Sequence, residues 1–74
     1  MAIRYLKTHA VLEGHVGAED AEALVAWIRR RKAPAVHLGD CEHLHAAVLQ
    51  VLLALRPAVK VPPRERWLAA ALGV

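Results

Sequence analysis

The sequence predicts a small α/β domain of element order ββαβαβα, with a mixed sheet of about four strands and helices packed on it. Two observations carry this prediction. Short apolar runs alternate with longer segments of helical periodicity, and Gly or Pro residues fall between them. Strands alternating with helices of this kind build layered α/β domains, because parallel neighbours need crossover connections. The 74 residues hold one core, so residues 1–74 are read as a single domain. Hydrophobic residues make up 57% of the chain and Phe is absent, so the core must be made of Leu, Val, Ala and Ile. Such a composition excludes a disordered chain.

The first two strands come from "IRYLKTHAVLEG", with a turn near Lys7 to His9 and an end at Gly14. The clearest helix lies in "HVGAEDAEALVAWIRRRKAP". Gly17 serves as its N-cap, Glu19, Asp20 and Glu22 suit its positive start, and Arg29 to Lys32 suit its negative end. Ala21, Leu24, Val25 and Ile28 form one apolar stripe, and Pro34 stops the helix. "AVHL", residues 35 to 38, is the third strand. A second helix runs from His45 or Ala46 to Arg56 and is stopped by Pro57. Its Val48, Leu49, Val51, Leu52 and Leu55 cover more than half the circumference, which predicts deep burial. "AVKV" is the fourth strand, and a last helix, "RERWLAAALGV", follows Pro62 and Pro63 with proline at its start and Gly73 near its end.

Composition also narrows the function classes. The single Cys41 excludes an intramolecular disulfide framework, and no signal-peptide pattern opens the chain, so the expected location is the cytoplasm. The apolar run from Ala46 to Leu55 is too short for a bilayer, which needs about twenty residues, so no membrane insertion is expected. The net charge is +3, but the basic residues are not interleaved with aromatics, so nucleic acid is not an expected partner. No Gly-rich phosphate loop is present, because Gly14 and Gly17 lack the required pattern.

The densest group of reactive side chains is "GDCEHLH", residues 39 to 45. Cys41, His43 and His45 alternate, and an extended loop would point them to one side, as a zinc ion requires. Their spacing matches no strong zinc template, and a helix starting near His45 turns that ring away, so metal binding is the alternative reading. A Cys41 nucleophile is disfavoured, since neighbours in sequence seldom reach nucleophile–base geometry and a lone Cys is more often a small buried hydrophobe. Asp40 and Glu42 default to a solvated loop. No catalytic residue and no cofactor is assigned, and the chain is not expected to be an enzyme.

Elsewhere, the run Arg29 to Lys32 either steers an acidic partner or is simply solvated. Trp27 lies off the apolar stripe, half exposed, as an interface anchor would be. Trp67 is expected in the core. His9 and His15 are placed in loops with no role.

The string "VHLGDCEHLHAAVLQVLLAL" resembles the signature of STAS domains, the fold of anti-sigma factor antagonists and of sulfate-transporter tails. In both, an apolar strand is followed by a short loop and a buried helix. The order of elements agrees over the whole chain, including "VLEGHVG" and "VKVPPRERWLAAALGV". Matched without gaps, the family's Asp and phosphorylatable Ser or Thr fall on His45 and Ala46. Alanine has no hydroxyl, so the usual phosphorylation switch is missing. Many family members continue into a further strand and helix, and an edge lacking them invites a homo-oligomer.

The resemblance implies a noncatalytic protein-interaction module of bacterial signal transduction and transcription regulation. Its partner would be an ATP-binding anti-sigma-like kinase, read through Asp40, Glu42, His43, His45, Ala46, Ala47 and Gln50. Two other partners fit the same fold: the ATPase of an ABC-type lipid transporter and a chemotaxis-type phosphorelay. A helix start offers free N–H groups, and small side chains at Ala46 and Ala47 allow close approach. Equally, both alanines are good helix formers in a first turn.

Overall fold

The computed structural model describes residues 2–74, and it is an α/β domain. In chain order the elements are β1 (Ile3–Tyr5), β2 (Ala10–Leu12), β3 (Gly14–Val16), a 3-10 turn (Ala18–Asp20), α1 (Ala21–Arg29), β4 (Ala35–His37), β5 (Cys41–Leu44), α2 (Ala46–Leu55), β6 (Ala58–Val61) and α3 (Arg66–Leu72). The main sheet has the order β1-β2-β4-β6. β1 and β2 form an antiparallel hairpin, whereas β2–β4 and β4–β6 are parallel and joined through α1 and α2.

Register decides which side chains enter the core. Ile3 pairs with Leu12, Tyr5 with Ala10, Ala10 with Val36, and Val36 with Val59, so these residues share one face. Leu24 and Ile28 of α1, Val48 and Leu52 of α2, and Leu68 of α3 join them in one buried cluster. Arg4, Val11 and His37 occupy the opposite face. β2, an inner strand between β1 and β4, is buried along its whole length.

Two strands were not expected. Gly14–Val16 and Cys41–Leu44 form a second, parallel two-stranded sheet, so His15 lies on a strand and not in a loop. Gly14, at φ +60, turns the chain out of the main sheet, and its N–H donates to the carbonyl of Asp40 at 2.9 Å. That left-handed backbone is cheap only for glycine.

The helices also differ in detail from the expected ones. Gly17 opens the 3-10 turn, and its N–H donates to the buried Asp20 carboxylate at 3.2 Å. Of the expected α1 stripe, Leu24 and Ile28 are fully buried while Ala21 and Val25 are half-buried. Only Val48 and Leu52 of α2 are fully buried; Leu49, Val51 and Leu55 pack on the core from its flank. An apolar circumference therefore does not mean deep burial here. Pro62 and Pro63 stay in the connection, and α3 starts three residues after Pro63. Its cap is Glu65, whose carboxylate accepts from the N–H groups of Trp67 and Leu68 at 2.8 and 3.2 Å. Trp67 is 61% exposed, against the expectation of a core residue, because α3 buries only Leu68 fully. Trp27 is half-buried, tilted against Tyr5 and covered by the Arg31 guanidinium, 4.8 Å from its ring centre. No helix among the described residues is long and apolar enough to cross a membrane.

Candidate interaction face

Pairing with β3 turns the polar stretch after Leu38 into a strand. Cys41 is opposite Gly14, His43 opposite His15 and Leu44 opposite Val16, with a register shift between Gly14 and His15. Val16 and Leu44 enter the core, so alternation turns His15 and His43 outward. The shift leaves Glu42 as the extra residue of a bulge, also exposed.

The chain then passes from β5 into α2 through His45. Its backbone N–H donates to the carbonyl of Val16 at 2.9 Å, tying the helix start to the second sheet. The His45 ring caps the helix, Nδ1 accepting from the Ala47 N–H at 3.0 Å. Such a cap satisfies one of the helix's orphan donors. Ala46 and Gln50, four residues apart, share a helix face and are both exposed, while Ala47 is half-buried. Asp40, Glu42, His43, His45, Ala46, Ala47 and Gln50 therefore lie along one continuous segment running from a turn through a strand into a helix. Six of the seven are exposed.

Cys41 does not join its neighbours. The side chain is buried in the core, and Sγ donates to the carbonyl of His43 at 3.6 Å. Burial pushes the thiol pKa up. A nucleophilic cysteine needs the opposite, an exposed and electropositive setting. The trio Cys41, His43 and His45 is likewise not assembled: the thiol faces inward, both rings face solvent, and His45 Nδ1 is engaged in the cap. Among the described residues no three His, Cys, Asp or Glu side chains are placed to hold one metal ion.

Two neighbours of the face escape a reading of the sequence. Arg64 and Glu65, from the connection before α3, line a shallow cleft with Gly39, Asp40, Cys41 and Glu42. More than twenty residues separate them from the turn, and no local pattern marks the contact. The cleft thus carries Asp40, Glu42 and Glu65 beside one guanidinium, a mixed-charge surface suited to a polar partner. Compared with family models, curated proteins and solved structures, the chain matches none of them.

Proposed function

We propose that this chain is a noncatalytic protein-interaction module, similar in role to the STAS domains of bacterial signal transduction. It docks an ATP-binding regulator through the segment from Asp40 to Gln50. The observation that carries the reading is the exposed first turn of α2, where Ala46 leaves the backbone uncovered beside His43 and His45. A partner can approach such a turn closely and meet its positive dipole end. The order β1-β2-β4-β6, with a hairpin followed by two parallel crossovers, supports the resemblance stated above. Because Ala46 stands where the family carries a hydroxyl, docking here is constitutive at that position or controlled elsewhere.

The test compares wild type with Ala46→Arg in affinity capture from the native cell, identified by mass spectrometry. Residue 46 is exposed, so the substitution is expected to leave stability within about 0.5 kcal/mol. An ATP-binding regulator recovered by wild type and lost by Ala46→Arg supports the reading; a transporter ATPase lost in the same way shifts the partner and keeps the face. Identical recovery by both proteins refutes the face.

A further inference from the structure

Two imidazoles stand side by side on the outer surface of the β3–β5 sheet. His15 and His43 are register partners, and their ring centres are 5.7 Å apart with a tilt of 35°. Both side chains are exposed. The rings of His9, His37 and His45 each hold a hydrogen bond through Nδ1, whereas those of His15 and His43 have no hydrogen-bond partner among the described residues. Their nitrogens are available to a ligand without breaking an internal contact.

We propose that His15 and His43 form a bidentate site for a borderline divalent transition-metal ion of the Cu2+ or Zn2+ class, with solvent completing the coordination. Imidazole is the ligand such ions favour. Two imidazoles bound to a tetrahedral ion at about 2.0–2.1 Å have ring centres about 5 Å apart, close to the 5.7 Å observed here. The strands fix the two β-carbons opposite each other, so little conformational freedom remains to be lost on binding. The other histidine pair, His9 and His37, is less suited: its ring centres are 6.4 Å apart, with His9 Nδ1 held by Thr8 and His37 Nδ1 by the Gly39 N–H.

With two protein ligands the site is open and exchangeable, unlike a closed four-ligand structural zinc. A bound ion bridges β3 to β5 directly, and so stiffens the strand that leads into α2. The site shares His43 with the proposed docking segment, but it does not rest on that reading, because the isolated chain binds the ion without a partner.

The test is calorimetric titration of the untagged full chain with Cu2+ in a noncoordinating buffer, with electron paramagnetic resonance to count nitrogen ligands. The expected result is one ion per chain with two imidazole nitrogens. His15→Gln and His43→Gln are each expected to weaken binding at least about tenfold, because either removes the chelate. His9→Gln and His37→Gln are expected to leave it within about twofold. His15 and His43 are exposed and His9 and His37 half-buried, so circular dichroism checks that each variant is folded. Absence of Cu2+ binding, or an affinity that His15→Gln and His43→Gln do not move, overturns the assignment. So does loss of binding in His9→Gln or His37→Gln with His15→Gln unaffected.

Discussion

His45 accepts a 3.0 Å hydrogen bond from the Ala47 backbone N–H through Nδ1, so a histidine does at the start of α2 what Ser, Asp or Asn does at most helix starts. The side chain is exposed, and its main contribution to stability is therefore the cap and not packing. His45→Ala is expected to cost about 1 kcal/mol. For a domain of this size that lowers Tm by about 4–8 °C. His45→Asn keeps an acceptor in place and is expected to recover most of the loss. Thermal unfolding of the three proteins checks this, and an unchanged Tm in His45→Ala would show that the bond contributes nothing.

Leu24 and Trp67 make a second contrast, because the larger residue is the less important one. Leu24 of α1 is completely buried in the core, whereas Trp67 is 61% exposed. Leu24→Ala is expected to destabilise the fold by about 2–5 kcal/mol, through lost burial and the cavity left behind. Trp67→Ala is expected to stay within about 0.5 kcal/mol of wild type. Urea unfolding followed by circular dichroism gives both values. A Trp67→Ala loss as large as that of Leu24→Ala would place the indole in the core.

Those two residues also show what the sequence disclosed. Leu24 and Ile28 recur at helical spacing before Pro34, and that pattern belongs to one segment and is visible without knowing its neighbours. The four-stranded sheet follows from similar local cues, the turn after Tyr5 and the breaks at Pro34 and Pro57. β3 and β5 are hidden for a physical reason. Each is only three or four residues long, and Gly-His-Val or Cys-Glu-His-Leu shows no clean alternation, so their pairing exists only through the long-range partners Gly14–Cys41, His15–His43 and Val16–Leu44. Strand character there is imposed by tertiary structure and not by propensity. The burial of α2 misled in another way: with apolar residues all round, its sequence carries no signal of which side meets the core. The polar residues between Asp40 and Gln50 are legible because they cluster in sequence, but His15, Arg64 and Glu65 reach them from distant parts of the chain.

Cys41 yields a prediction about pH. Burial raises the thiol pKa in the folded chain above its unfolded value. An acid whose folded pKa is raised binds its proton more tightly when folded. Its contribution to stability is then complete below the unfolded pKa, about 8.5 for a free thiol, and is lost as pH rises from there through the higher folded pKa. Stability is therefore expected to fall above about pH 8.5 in wild type and to fall less in Cys41→Ala. Tyr5, also raised by burial, adds to the decline at higher pH in both proteins. Denaturant midpoints measured across the alkaline range check the difference. At neutral pH the same burial predicts slow alkylation of Cys41 by iodoacetamide until denaturant is added, and rapid reaction of the native protein would contradict it.

Two left-handed residues predict effects of opposite sign. Arg56 ends α2 at φ 48 and ψ 56, and its N–H donates to the Leu52 carbonyl at 2.9 Å. A side chain in this backbone region costs about 1–2 kcal/mol that glycine does not incur. Glycine also gains freedom in the unfolded chain, which offsets part of the benefit. Arg56→Gly is therefore expected to stabilise the protein by about 0.5–1 kcal/mol. Gly14, at φ +60, presents the reverse case. Space is not the obstacle, since the nearest atom to an added β-carbon is Glu42 Oε2 at 4.0 Å. Backbone strain is, and Gly14→Ala is expected to cost about 1–2 kcal/mol. Chemical denaturation of both variants separates the two causes of such an effect. If both destabilise, Arg56 earns its place by packing with Leu52, Leu53 and Pro57 around the same hollow, and backbone conformation does not govern that helix end.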